Sequence, residues 1–131
     1  GLIDSQDALR GNLLYDVASL IDDVRIKLPI KLKSSLFSYY LSRTPKIKKN
    51  TEKLLAQNDF DILSVQRNLK ILGIFVRLFK RDHKIGYLKY LPYIWKLLEL
   101  RLKNRIFINL KYLLNKAVPI KNRKKVNFND N

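Results

Sequence analysis

Hydrophobic residues recur at steps of three and four along most of the chain, which is the spacing of one face of an α-helix. The most regular run spans residues 61–80, and its apolar positions form one stripe: Ile62, Val65, Leu69, Leu72, Val76 and Phe79. An earlier run extends from Leu13 to Val24 and follows Asn12, a residue that can cap a helix. Both runs predict amphipathic helices that share a core.

Polar and proline positions predict where these helices begin and end. Pro29 predicts the end of the first helix, because a residue that precedes proline avoids helical backbone angles. A mixed apolar and polar segment covers residues 32–41. Thr44-Pro45 predicts the start of a helix that reaches about residue 57, and Asn58-Asp59 predicts a break after it.

The second half of the chain has a similar pattern. Gly73 interrupts the apolar run, which predicts close approach by another backbone. Pro92 suits the first turn of a further helix, and a last helix is predicted over residues 106–116. We therefore predict one helical unit over residues 1–119 and a disordered basic tail over residues 120–131.

Composition limits the chemistry of the chain. Its 131 residues suit one small domain. The lack of Cys excludes disulfides and thiolate metal sites, and a single His excludes a metal site with several His ligands in one chain. No apolar run approaches the roughly 20 residues that a membrane span needs, and no signal peptide is recognisable. A cytoplasmic location is the expectation.

The formal net charge is +16, from 27 Lys and Arg against 11 Asp and Glu. Such a charge favours polyanionic partners. The basic residues are scattered, and the chain is rich in Lys, Asn, Ile and Tyr, so the codon bias of an AT-rich genome is the favoured explanation. Two alternatives stay open: a basic helical module that binds nucleic acid or another polyanion, and membrane-surface association through residues 77–89 and 96–111.

Two carboxylates near the start of the chain could hold a hard cation. The segment Ile3-Asp4-Ser5-Gln6-Asp7-Ala8 resembles the end of a strand that presents carboxylates. Magnesium prefers oxygen ligands and commonly takes one or two carboxylates together with substrate phosphates. Spacing alone leaves open that Asp4 and Asp7 are ordinary surface-turn residues.

The same segment carries a family resemblance. Together with Gly11-Asn12 and the run Tyr15-Asp16-Val17-Ala18-Ser19-Leu20, it resembles the magnesium-binding segment of the aminoglycoside phosphotransferase and choline-kinase-like superfamily. Within that superfamily, the segment resembles that of the bacterial N-acetylmuramate/N-acetylglucosamine 1-kinase group. Residues 19–25 and 66–78 are similar to later segments of this group, and the resemblance extends from about Leu2 to Leu98. Ser5, Asn12 and His83 depart from the family's aromatic, Pro and Gly.

The resemblance implies roles for particular residues. Asp4 corresponds to the magnesium-binding Asp, and Asp7 to a second metal or substrate contact. Asp16 corresponds to a buried structural carboxylate that accepts hydrogen bonds from the catalytic-loop backbone. The positions near the sugar-binding cleft are occupied by three residues: Gln6, Asp23 and Arg25.

The resemblance also implies a fold and an activity. The fold would be mainly α, the helical C-terminal subdomain of a protein-kinase-like fold with at most a short N-terminal strand. The complete enzyme would use ATP and Mg²⁺ to phosphorylate an amino sugar of cell-wall recycling. The family's catalytic loop and ATP-binding lobe have no counterpart in this chain, so no catalytic residue is assigned here.

The missing segments set the expectations for partners. We expect the isolated chain to be inactive and to bind no cofactor on its own. A separate N-terminal kinase piece could complement it, and self-association could cover apolar faces left exposed. Under this interpretation nucleic acid is not a partner.

Overall fold

The computed structural model describes residues 11–123, and the regular elements within this range are helical. Six α-helices follow in chain order: α1 (Leu14–Ile21), α2 (Ile30–Arg43), α3 (Asn50–Asp82), α4 (Leu91–Arg101), α5 (Ile108–Ala117) and α6 (Ile120–Arg123). Short 3₁₀ segments at Ile85–Tyr90 and Arg105–Phe107 precede α4 and α5. The mainly α prediction is confirmed, whereas the short N-terminal strand was predicted at residues outside the described range. Between residues 11 and 123, no helix has the length and hydropathy to cross a bilayer.

Helix α1 starts where the sequence predicted and ends earlier. Asn12 Oδ1 accepts a hydrogen bond from the Leu14 N–H at 2.9 Å, as expected of a capping side chain. The helix stops at Ile21 and does not continue to Pro29. Asp22 leaves the helical conformation (φ −108°, ψ 37°), and its carboxylate is buried among polar partners on other helices. That burial fixes the end of α1.

Helix α3 is continuous over 33 residues, so the predicted break at Asn58-Asp59 is wrong. Its start at Thr44-Pro45 is also wrong, because Thr44 ends α2 and its Oγ1 donates to the Tyr40 carbonyl at 2.8 Å. The helix begins at Asn50. Just before it, the backbone N–H groups of Lys48 and Lys49 donate to the Glu52 carboxylate at 2.7 and 2.8 Å. This arrangement satisfies donors that the first turn leaves free.

The side chains at the predicted break bind distant partners and do not compete with the helix backbone. Asp59 Oδ2 accepts from Asn12 Nδ2 at 2.9 Å, and Asn58 Oδ1 accepts from Asn104 Nδ2 at the same distance. Short polar side chains weaken a helix when they bond to their own backbone. Here Asn58 and Asp59 use their side chains to bond to partners on other parts of the fold, so the helix backbone is left intact and α3 continues.

The far end of α3 closes at His83, which has a positive φ of 52°. Its N–H bonds to the Phe79 carbonyl at 3.0 Å. This left-handed conformation favours Gly at a helix C-terminus, in agreement with the Gly that the resemblance implies for this position. Pro92 lies in the first turn of α4, as the sequence predicted.

Two hydrophobic clusters hold the helices together, and α3 contributes to both. The first, called the N-terminal core, consists of Leu14, Ala18, Ile21, Phe37, Ala56 and Phe60. The second, called the C-terminal core, consists of Val24, Val65, Ile94, Trp95, Leu97, Leu98, Leu102 and Phe107. Helix α1 packs on α3 and contacts α2, and α4 also packs on α3. Phe37 of α2 reaches Phe60 of α3, with ring centroids 4.5 Å apart.

The described part of the predicted disordered tail is helical. Residues Ile120–Arg123 form α6, and Arg123 is buried. Its guanidinium lies 4.4 Å from the Trp95 ring centroid and donates to the carbonyls of Leu114 and Val118 at 2.9 and 2.8 Å. The Arg123 side chain thus packs its guanidinium against α4 and the end of α5, and the folded region extends at least to Arg123. Residues 124–131 lie outside the described range.

Gly73 has no close neighbour, so the predicted backbone approach is wrong within this structure. A Cβ added at Gly73 would meet no heavy atom within 4 Å. We therefore expect Gly73→Ala to raise the free energy of unfolding by about 0.5–1 kcal/mol, since alanine restricts the unfolded chain and favours the helix. Urea denaturation measures this, with Gly86→Ala outside the α-helices for comparison. A loss of stability in the variant would contradict the open surroundings of Gly73.

Candidate functional site

Asp22, at the end of α1, is the centre of a buried polar cluster. Its Oδ1 accepts from Lys33 Nζ of α2 at 2.9 Å, and its Oδ2 accepts from Arg101 Nε of α4 at 2.8 Å. Ser64 Oγ of α3 donates to Oδ2 at 2.6 Å. Lys33 Nζ also donates to the Ile21 carbonyl. One carboxylate therefore joins four helices at a single point.

The partners of Asp22 keep it ionised despite its burial. Burial by itself would raise the pKa of this carboxyl, because the charged form loses its hydration. The hydrogen bonds from Arg101, Ser64 and Lys33, together with the Arg101 charge, outweigh burial and hold the pKa of Asp22 below its usual value. Asp22 is thus a buried anion between two cations.

Asp61 forms a second layer around Arg101. Its carboxylate accepts from Gln57 Nε2 and from Asn104 Nδ2, both at 3.0 Å, and Arg101 Nη1 lies 3.6 Å away. Here burial is the larger influence and raises the pKa of Asp61, although Asn104, Arg101 and Gln57 act against it. The Arg101 guanidinium also lies 4.7 Å from the Phe60 ring centroid, which ties the polar cluster to the N-terminal core.

We expect the Asp22 carboxyl to titrate below the pKa of an ordinary Asp and the Asp61 carboxyl to titrate above it. A lowered folded pKa at Asp22 adds stability above about pH 4, and that stability is lost as the pH falls through the folded value. At Asp61 the folded pKa is raised, so its contribution to stability is present at low pH. That contribution is lost as the pH rises through the folded pKa of Asp61. Carbon-13 NMR of the side-chain carboxyls measures both midpoints. If Asp22 titrated above Asp61, the proposed balance of charges would be wrong.

The loop that follows this cluster carries two of the predicted cleft residues. Asp23 is buried, and Arg25 binds it through two contacts: Nε to Oδ1 at 3.1 Å and Nη2 to Oδ2 at 2.8 Å. The hydrogen bonds from Arg25 lower the pKa of Asp23. The Arg25 side chain remains 71% exposed, so the structure brings these two residues together and leaves the guanidinium open to solvent.

The other predicted site residues are not brought together by the described structure. Asp16 lies in the first turn of α1 and is exposed. The resemblance assigns a catalytic-loop backbone as its partner, and no such partner contacts Asp16 among residues 11–123, so its structural role stays a prediction. Asp4, Gln6 and Asp7 lie outside the described residues. Within residues 11–123, no group of three or more His, Cys, Asp or Glu side chains could hold a metal ion.

Comparison with known proteins identifies the relatives of the chain. It is 34% identical over 109 residues to the N-acetylmuramate/N-acetylglucosamine kinase of Pseudomonas aeruginosa, which covers 80% of this chain and 32% of that protein. It is 27% identical over 124 residues to the protein of that name from Caulobacter vibrioides, covering 95% of this chain and 33% of the relative. The chain is homologous to these kinases. The relative from Neisseria meningitidis is 33% identical over 94 residues, 70% of this chain and 28% of its own length. No family model matches the chain.

These matches confirm the resemblance seen in the motifs. The chain spans about a third of the length of the curated kinases it matches, which agrees with a C-terminal part of such a protein. The helical content agrees with a helical subdomain.

The sequence reasoning missed the buried cluster, although the apolar periodicity contained a signal for it. Asp22 lies four residues after Ala18, on the inward side of α1, and Arg101 follows the buried pair Leu97 and Leu98 in α4. A charged residue on the apolar side of a helix needs a buried partner. Pairing such positions across helices would have nominated Asp22 with Arg101.

Proposed function

We propose that this chain forms the helical C-terminal part of an ATP-dependent phosphotransferase whose acceptor is a hydroxyl of an amino sugar from cell-wall recycling. The observation that supports this most is the homology to N-acetylmuramate/N-acetylglucosamine kinases over 80% to 95% of the chain. The motif resemblance from Leu2 to Leu98 supports the same assignment.

In this proposal the start of the chain supplies the metal ligands. Asp4 and Asp7 provide carboxylate oxygens, a donor set that fits Mg²⁺. When bound, the ion neutralises charge on the transferring phosphoryl group. Asp16 anchors the catalytic loop by accepting hydrogen bonds from its backbone. Its position in the first turn of α1 keeps the carboxylate accessible to such a partner.

The buried cluster has a positioning role in the proposed enzyme. Asp22 fixes the first residue of the loop to three other helices, and the next residue, Asp23, binds Arg25. This anchoring holds the Arg25 guanidinium at the proposed edge of the sugar cleft. A charged donor held in this way can orient a polar substrate without an ordering cost at each binding event.

The chain alone is expected to be inactive, because it spans about a third of its relatives' length and the resemblance implies that the catalytic loop and ATP-binding lobe belong to the unmatched part. Its partner in catalysis would be that N-terminal kinase part. The exposed side of α1 supports a docking role, since Leu13 and Leu20 flank Asp16 and are 70% and 67% exposed. Apolar residues so exposed commonly mark an interaction surface.

A complementation assay tests the proposal. The chain is prepared alone and together with the unmatched part of the Pseudomonas aeruginosa relative, and ATP-dependent phosphorylation of N-acetylglucosamine and N-acetylmuramate is measured. We expect activity only in the mixture. Asp4→Asn should lower the rate at least about a hundredfold if it removes a metal ligand. The control Asp82→Asn, a partly exposed carboxylate paired with Arg81, should leave the rate unchanged.

Three results would contradict parts of the proposal. A complex that forms without transferring phosphate to either sugar would overturn the assigned activity. Equal rates for Asp4→Asn and Asp82→Asn would overturn the assigned metal ligand while leaving the activity in place. Phosphorylation by the isolated chain would show that the division between two parts is wrong.

A further inference from the structure

Helix α5 exposes apolar side chains on the side that faces away from the fold. Its inner side packs on the C-terminal core through Leu110, Leu114 and Val118 at its end. Ile108 and Tyr112 are four residues apart, hence on one side of the helix, and each is 72% exposed. Leu113 is 59% exposed beside them. None of the residues of α5 is buried.

Basic residues surround these apolar positions. Lys111 and Lys116 lie on α5 and are exposed, and Arg105 precedes the helix in line with Ile108 and Tyr112. The sequence has no Asp or Glu from residue 100 to residue 129. We call the group Ile108, Lys111, Tyr112, Leu113 and Lys116 the α5 patch. Its chemistry combines apolar side chains with positive charge alone.

Contacts on the inner side of α5 hold the α5 patch against the fold. Arg123 Nη2 donates to the Leu114 carbonyl at 2.9 Å and to Asn115 Oδ1 at 2.8 Å. The same guanidinium stacks over the buried Trp95 ring. The exposure of Ile108 and Tyr112 therefore comes from a packed helix, and the surface is formed before any partner binds.

We propose that the α5 patch binds the surface of an anionic lipid bilayer, a property beyond the proposed kinase activity. An interfacial helix places apolar side chains at the boundary between headgroups and acyl chains, while Lys and Arg contact lipid phosphates. Tyr112 suits the headgroup level, because its ring is apolar and its hydroxyl is polar. A second copy of the chain fits less well, because the isologous contact would bring Lys111 and Lys116 against like charges.

Vesicle co-sedimentation tests this inference with the full chain. Vesicles of phosphatidylcholine alone are compared with vesicles that also contain phosphatidylglycerol. We expect binding to the anionic vesicles only. The double variant Ile108→Ser/Tyr112→Ser should weaken that binding at least about tenfold through loss of apolar burial. Lys111→Gln/Lys116→Gln should also weaken the binding about tenfold, because each basic residue near an anionic surface adds to the electrostatic attraction.

Matched variants elsewhere on the chain control for general apolar and charge effects. Leu13→Ser/Leu20→Ser removes exposed apolar side chains from α1, and Lys46→Gln/Lys48→Gln removes exposed charges between α2 and α3. Both should bind the anionic vesicles as the unchanged chain does. Circular dichroism of each variant checks that the helices remain.

Three outcomes would overturn the inference. Equal weakening by the α5 and control lysine variants, with no effect of Ile108→Ser/Tyr112→Ser, would mean adsorption by net charge. No vesicle binding together with a dimer that Ile108→Ser/Tyr112→Ser dissociates would assign the surface to a second copy. No binding and no dimer would leave the α5 patch without the lipid affinity proposed. Because no kinase assay is involved, these results are independent of the proposed function.

Discussion

Replacing Asp22 with Asn is expected to lower the free energy of unfolding by about 3–5 kcal/mol. The carboxylate is the anion between Lys33 and Arg101, and Lys33 is itself buried. Asparagine has nearly the same shape but no charge, so the variant would leave the Lys33 ammonium buried without a counter-ion. Breaking a buried ion pair from one side is costly for this reason. Urea denaturation monitored by fluorescence of the single Trp, Trp95, measures the change.

Two controls separate this effect from a general loss of negative charge. Asp16→Asn removes an exposed carboxylate from α1, the helix that Asp22 follows, and should change the free energy of unfolding by less than about 0.5 kcal/mol. Lys33→Met combined with Asp22→Asn removes both charges, so the double variant should lose less than the sum of the two single losses. A loss below about 1 kcal/mol for Asp22→Asn would mean that the cluster does not depend on this anion.

Replacing Phe60 with Ala is expected to cost about 3–5 kcal/mol of unfolding free energy. Phe60 is fully buried in the N-terminal core, with its ring centroid 4.5 Å from that of Phe37. Its other side faces the Arg101 guanidinium. Alanine would leave a cavity between α2 and α3 and remove the surface on which the guanidinium lies. The midpoint of urea unfolding should shift accordingly.

Leu54→Ala is the matched control for Phe60→Ala. It lies on the same helix and is 63% exposed, so truncation there should cost little. A combined variant, Phe60→Ala with Asp22→Asn, tests whether the cavity loosens Arg101, in which case the two losses would not add. Equal small losses at positions 54 and 60 would contradict the packing described for the N-terminal core.

Local sequence pattern predicted those helices whose signals lie within the helix itself. The apolar run over residues 61–80 became the body of α3, and Pro92 marked the first turn of α4. The predicted break at Asn58-Asp59 failed because the partners of those side chains, Asn12 and Asn104, lie 47 and 46 residues away in sequence. Such pairings depend on the tertiary fold, which a local pattern does not contain.

The residues of the candidate site likewise divide into those that sequence motifs predicted and those that only the tertiary fold brings together. The motif resemblance led to Asp23 and Arg25, and the structure places them in one ion pair. It did not lead to Asp22, whose partners are 11, 42 and 79 residues distant. The roles of Asp4, Asp7, Gln6 and Asp16 come from family motifs and stay predictions.

The continuity of α3 has a consequence for how the chain unfolds. At 1.5 Å per residue, its 33 residues extend about 50 Å, and both hydrophobic cores are built on it. Unfolding the part of α3 that belongs to one core would also weaken the other core. The ion pair between Asp22 and Arg101 is a second connection between the two cores. The described chain should therefore melt as one cooperative unit, and amides near Phe60 and Val65 should exchange with solvent only in the rare molecules that have opened completely.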